Sequence, residues 1–209
     1  MKNSLIITDI QNDFCPGGAL AVAEGDRIIP AVNAISARFD RCVATQDWHP
    51  SGHVSFASTH GRKPFEVIPW DGQEQVLWPD HCIPGTPGAD FHRDLDTRSV
   101  DLIIRKGADP RIDSYSTFLE NDKKTPTGLH FYLQGMGIER VYLCGLATDY
   151  CVFFSALDAV TMGFQATVLL DACRGVDLPA GNVERALGKM RERGIRILSG
   201  VTFSDFIPG

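Results

Sequence analysis

The architecture of the chain is most plainly written in Val141-Tyr142-Leu143-Cys144-Gly145-Leu146-Ala147-Thr148-Asp149-Tyr150-Cys151. Val141–Cys144 is a short apolar run that reads as a buried strand. A glycine follows, then Thr148 and Asp149, and from Asp149 to Met162 the apolar residues recur with helical period until Gly163 stops them. A strand passing through a tight turn into a helix is half of a parallel β-α-β unit.

The same alternation extends outward in both directions. Leu5–Thr8, Arg41–Thr45, Leu102–Arg105, Ala166–Leu170 and, more weakly patterned, Ile195–Leu198 read as further buried strands. Asp26–Arg38, Thr127–Gly137 and Pro179–Arg193 carry helix periodicity, with Thr127 and Asp149 as N-caps and Gly137 and Gly194 as stops. The pattern predicts an α/β fold: one three-layer α/β/α domain over residues 1–209, with a mostly parallel six-stranded sheet and right-handed crossovers. One segment breaks the rhythm. Residues 47–98 are rich in His, Trp, Pro and Gly, and an irregular insertion of that length is usually functional.

Composition narrows the function classes. A chain of 209 residues with 44% hydrophobic and 22% charged residues is an ordinary globular mixture. Its net charge of −6, with no Lys/Arg run, argues against nucleic-acid and anionic-membrane partners. The N-terminal apolar run, Leu5-Ile6-Ile7, is too short for a signal or a span. Six cysteines at irregular spacing read as free thiols, so a cytoplasmic location is expected. The apolar tail Val201–Gly209 is expected to dock on the domain, and a homo-oligomer is compatible with the sequence.

In open α/β sheets ligands bind beyond the carboxyl ends of the strands, so the residues there carry the functional reading. Cys151 falls in the first turn of a helix, where free N–H groups and the helix dipole favour a thiolate and an oxyanion. A small buried packing residue is the competing role for a free cysteine. Lys106 ends one strand and can lower a cysteine pKa, or it can simply reach to solvent. Asp9 ends the first strand as a candidate general acid/base, and Asp13 has an equal claim by position. Together, an Asp, a Lys and a Cys at three strand ends can converge on one carbonyl. Asp47 and His49, at alternate positions after the second strand, point to the same side and with His81 can share a divalent ion, with His53 and Ser55 as further candidate ligands. Oxygen and nitrogen donors suit Zn, Fe or Mn. The competing reading is that these histidines cap polar loops.

Several of these pieces resemble the nicotinamidase/pyrazinamidase branch of the isochorismatase-like cysteine hydrolases. They are Asp9-Ile10-Gln11-Asn12-Asp13-Phe14, Gln46-Asp47-Trp48-His49-Pro50, Trp78-Pro79-Asp80-His81-Cys82, Pro84-Gly85-Thr86-Pro87-Gly88-Ala89, Lys106-Gly107 and Gly145–Cys151, in the family's order. The resemblance implies a catalytic triad of Asp9, Lys106 and Cys151 and metal ligands Asp47, His49 and His81, with His53 as a variable fourth. It implies a cis peptide before Ala147, whose N–H and that of Cys151 would hold the oxyanion. Phe14, Trp78 and Tyr115 look like the aromatics that sandwich the substrate ring; each could equally be core. The implied cofactor is one divalent metal ion, zinc before iron or manganese, binding the pyridine nitrogen. The implied substrate is a small heteroaromatic carboxamide, nicotinamide or pyrazinamide, and the implied setting NAD salvage. Two other readings stay open: a hydrolase in which the metal activates water or another carboxamide or carbamoyl amidase of the superfamily, and a non-catalytic binding protein on the same fold.

Overall fold

The computed structural model describes residues 1–200; the tail Val201–Gly209 lies outside the described residues. Six strands form the central sheet: β1 (Lys2–Thr8), β2 (Arg41–Asp47), β5 (Leu102–Lys106), β6 (Ile138–Leu146), β7 (Gln165–Arg174) and β8 (Arg196–Leu198). Their order is β5-β2-β1-β6-β7-β8, and every pairing is parallel. Leu5, Ile6 and Ile7 are fully buried, which is why β1 reads as a continuous apolar run instead of an alternating one. Ile6 pairs with Val43 on one side and Leu143 on the other, so β1 lies inside the core.

Among the described residues four α-helices surround the sheet: α1 (Ile29–Ile35), α2 (Leu129–Gly135), α3 (Cys151–Thr161) and α4 (Asn182–Glu192). From β1 the chain steps one way, to β2, and from β6 the other way, to β7. Right-handed crossovers therefore put α1 and α3 on opposite faces. The reversal of direction lies between the neighbours β1 and β6, and a crevice opens at their carboxyl ends. Gly145, with φ +114°, permits the close approach there: a Cβ on it would sit 2.1 Å from the Thr8 carbonyl oxygen.

Several elements differ from the sequence reading. The helix expected over 26–38 is three pieces, Gly25–Ile28 and Ser36–Arg38 being 3-10 turns around α1. Pro30 in its first turn supplies no N–H to bind a preceding turn. Gly128, at φ +96°, takes the N-cap position of α2, while Thr127, one residue earlier, still accepts the first helical N–H, that of Leu129, on its hydroxyl at 3.3 Å. Asp149 does not cap α3. Tyr150 stands at the N-cap, and the Asp149 carboxylate accepts from the N–H groups of Val176 and Asp177 and from Asn182 Nδ2, at 2.9–3.0 Å. It thereby ties the loop after β7 to the turn before Cys151. Residues 47–98, read as aperiodic, contain an antiparallel hairpin of β3 (Val67–Trp70) and β4 (Gln73–Val76).

Candidate active site

The crevice collects residues from four strand ends. Asp9 immediately follows β1, Asp47 is the last residue of β2, Lys106 the last of β5, and Cys151 the first of α3 after β6. Lys106, fully buried, is the hub. Its ammonium lies 3.0 Å from Asp9 Oδ2, forms an ion pair with Asp47 Oδ1, and stands 3.6 Å from Cys151 Sγ. It also donates to the Ser114 carbonyl at 3.2 Å. One oxygen of Asp9, one of Asp47 and the Cys151 sulfur all lie within 4.8 Å of one another. Asp13, the alternative to Asp9, is engaged elsewhere: its carboxylate accepts the N–H groups of Cys82 and Ala19.

Electrostatics set the protonation of this group. Burial raises the Asp9 pKa, and the Lys106 charge only partly opposes it. Burial also pushes Asp47 up, but Lys106 and then His49 outweigh it and hold Asp47 well below the carboxylate range. Burial works to lower Lys106, yet Asp47, Asp9 and Cys151 keep it raised and charged. The Cys151 thiol is pushed well above its ordinary value by burial, against Lys106 and with the two carboxylates. The helix start and the lysine alone suggest a resting thiolate; with two carboxylates beside it the sulfur keeps its proton. Asp9, within hydrogen-bonding reach of that thiol, is the group placed to receive it. Asp9 Oδ2, buried and paired only with the Lys106 charge among the described residues, has lone-pair capacity for the proton.

The turn before α3 shapes the other side of the sulfur. The Leu146–Ala147 peptide is cis, as the resemblance implies. The Ala147 carbonyl accepts from Tyr150 and Val152 N–H, while the Cys151 N–H belongs to the first turn, which has no intrahelical acceptor for it.

Asp47, His49 and His81 converge beside the thiol. His49 Nε2 is 3.5 Å and His81 Nε2 3.7 Å from Asp47 Oδ2, the oxygen turned away from Lys106. Each imidazole gives its Nδ1–H to a backbone carbonyl, His49 to Gly107 at 3.0 Å and His81 to Pro79 at 2.7 Å. Those bonds turn both Nε2 atoms toward the carboxylate, so two nitrogens and one oxygen within 4.8 Å suit a divalent cation with positions left open. His49 is drawn toward the charged form: burial opposes it, and the Asp47 carboxylate prevails. His53 does not join these three. Its Nδ1 meets Ser55 Oγ at 2.8 Å, its Nε2 meets the Ile112 carbonyl at 3.2 Å, and its ring stacks on His49 at 4.2 Å. Burial, then the neighbouring His49, lowers it to about 4, so it supports the His49 ring as a neutral imidazole. Ser55 is occupied by the same bond.

A small cavity lies over the sulfur, lined by Phe14, Trp78, Tyr115, Tyr150 and Ala147 with the three cation-facing residues. Phe14 tilts against His81 at 5.5 Å, and Trp78 donates its Nε1–H to Tyr115 Oη at 3.1 Å. Tyr150, read only as part of a motif, is a wall residue, its ring 4.9 Å from Trp78. Two supports escaped the sequence reading. Thr45 Oγ1 donates to Asp9 Oδ1 at 2.6 Å, and Gln11 clamps the Asp47 backbone, accepting from its N–H at 2.8 Å and donating to its carbonyl at 2.9 Å. Thr45 stands two positions before Asp47 on one strand, a same-face spacing that could have pointed to it.

A thiol, a carboxyl acceptor and a buried ammonium, converging beside a three-donor cation pocket at the switch point of a doubly wound sheet, are the equipment of a cysteine hydrolase. The chain belongs to the isochorismatase family, whose Isochorismatase domain model matches residues 3–200. It is 48% identical over 197 residues to the nicotinamidase of Acinetobacter baylyi, covering 94% of this chain and 92% of that one. Among solved structures it is similar to PnC1 of L. infantum in complex with nicotinate, at TM-score 0.83 and 38% identity, over 95% and 92% of the two chains. It is also similar to the pyrazinamidase of Pyrococcus horikoshii in complex with zinc, at TM-score 0.78 and 41% identity, over 95% and 99%. Among the described residues no helix is long and apolar enough to cross a membrane.

Proposed function

We propose that this protein is a nicotinamidase: it hydrolyses nicotinamide to nicotinate and ammonia through a thioester on Cys151, and accepts pyrazinamide as a close analogue. The observation that carries this reading is the Cys151 sulfur, 3.6 Å from a buried ammonium and beside a carboxyl able to take its proton, under an aromatic-walled cavity. The similarity to nicotinamidases and to a nicotinate-bound structure supplies the ring and the product.

The chemistry follows from the geometry. Asp9 takes the thiol proton as the sulfur attacks the carboxamide carbon, and Lys106 steadies the negative charge on the pair. The N–H groups of Ala147 and Cys151 hold the oxyanion. The tetrahedral adduct collapses with cleavage of the C–N bond, Asp9 returns its proton to the nitrogen, and ammonia leaves. Water then attacks the thioester, Asp9 accepting its proton; cleavage of the C–S bond frees nicotinate and the proton returns to sulfur. Asp47, His49 and His81 would hold one divalent cation, zinc by analogy with the P. horikoshii structure and with iron and manganese as alternatives, and a bound cation supplies a Lewis-acid contact for the ring nitrogen. Phe14, Trp78 and Tyr115 confine the ring so that the carboxamide lies over the sulfur. We read this reaction as a step of NAD salvage in the cytoplasm.

The test is ammonia release from nicotinamide, pyrazinamide and benzamide by the purified protein. Turnover of the first two and near-silence on benzamide, which lacks the ring nitrogen, is expected. Equal rates on benzamide would remove the ring–metal contact, and no rate on any of the three would remove the assignment.

A further inference from the structure

Glu120 lies on the loop between β5 and α2, nine-tenths buried, and nothing in the reaction above uses it. Both of its carboxylate oxygens accept the Gly107 N–H, at 3.2 Å each. That N–H belongs to the Lys106–Gly107 peptide, whose other end is also held: the Lys106 carbonyl accepts from Trp48 N–H at 2.9 Å. The plane of this peptide is thus clamped from two sides. Gly107 then turns through the left-handed region at φ +67°, which aims its own carbonyl at His49 Nδ1, 3.0 Å away. The turn has no room for a side chain, since a Cβ on Gly107 would sit 2.3 Å and 2.5 Å from ring atoms of His49.

We propose that Glu120 is a positioning residue for the cation pocket: through Gly107 it fixes the ring and tautomer of His49 and so sets the affinity of Asp47, His49 and His81 for a divalent ion. Trp48 alone leaves the peptide free to rock about its carbonyl, whereas Glu120 closes the second side. Losing the carboxylate also strands a buried N–H, which the loop recovers only by shifting. The inference rests on the reading of the three residues as a cation site, and its test separates the two.

Cobalt(II) is titrated into chelator-stripped wild type, E120A, E120D, E120Q, G107A and H49A, reading the ligand-field absorption and the dissociation constant, with far-UV circular dichroism as the fold check. Wild type binds one cobalt, and H49A does not. Folded E120A binds about 10- to 100-fold more weakly, the range for loss of an outer partner of a metal-bound histidine. E120Q, which keeps an acceptor for the Gly107 N–H, stays near wild type. G107A, whose Cβ meets the His49 ring directly, loses binding although Glu120 is intact and calibrates a displaced His49. E120D, whose carboxylate is one methylene short of the Gly107 N–H, carries the test if E120A does not fold, and wild-type affinity there overturns the proposal. Wild-type affinity in folded E120A or G107A overturns the proposal, as does a loss in E120Q equal to that in E120A. A wild type that binds no cobalt removes the cation site and the proposal with it. The readout does not depend on nicotinamide turnover.

Discussion

Replacing Lys106 by Met removes the buried ammonium that lets two carboxylates and a thiol share the crevice. The ammonium is fully buried, 3.0 Å from Asp9 and paired with Asp47. Removing one partner from a buried pair costs about 3–5 kcal/mol, because an uncompensated charge is left behind. Against about 5–15 kcal/mol for a whole domain, that is a large share of its stability. Part of the cost is recoverable by protonation. In wild type burial already raises Asp9 while Lys106 lowers it; without Lys106 it rises further above 3.8. A carboxyl with a raised folded-state pKa binds its proton more tightly folded than unfolded, so stability is lost as pH climbs from the unfolded value through the folded one. The assay is urea unfolding of chelator-treated wild type and K106M from pH 8 down to pH 5. The gap is expected to be largest at pH 8 and to narrow on acidification, and D9N in the K106M background recovers much of it at pH 8. K106M as stable as wild type at pH 8, or a gap that widens toward acid, would refute the view of Lys106 as the neutralising hub.

Three further outcomes follow from the same geometry. Thr45→Val removes the 2.6 Å bond that helps keep Asp9 ionised, so Asp9 rises and the acid limb of kcat/KM moves to higher pH. An unmoved limb would mean that Asp9 is not the group titrating there. Asp9→Asn should abolish turnover yet speed iodoacetamide labelling of Cys151 at pH 7.5, because Asp9 raises the thiol pKa and Lys106 lowers it; slower labelling at that pH would contradict the assignment. Stripping the metal should stop ammonia release and lower the thermal midpoint, since an ion that binds only the folded state at a hundred times its Kd contributes about 2.7 kcal/mol. An unchanged midpoint would argue that the pocket holds no ion.

What the sequence reveals here depends on whether the signal is local. The inner strands were legible because their burial on both faces leaves uninterrupted apolar runs, as in Leu5-Ile6-Ile7. Asp9, Lys106 and Cys151 could be nominated because each stands at a strand or helix boundary. Asp149 was misread because an aspartate just before a helix looks like a cap, whereas its partners Val176, Asp177 and Asn182 lie about thirty residues ahead in the chain. Glu120 carries no local signature and Thr45 only its same-face spacing to Asp47; what matters is a bond to Asp9, 36 positions away, and one to Gly107, 13 away. The β3–β4 hairpin was invisible because its residues are mostly exposed and include Pro69, so no period-two pattern forms. His53 illustrates the limit from the other side: spacing brings it near His49, but only the structure shows that its ring nitrogens meet Ser55 and Ile112 and that it groups with His49 and Asp113 and not with Asp47 and His81.

Whether the Cys151 sulfur is the nucleophile is decided by ammonia release from nicotinamide by metal-loaded C151A beside wild type, each with its cobalt or zinc content measured. Both proteins are expected to carry a full metal complement, with turnover only in wild type. C151A that keeps its metal and releases ammonia at the wild-type rate would move the chemistry to metal-activated water and leave Cys151 a packing residue.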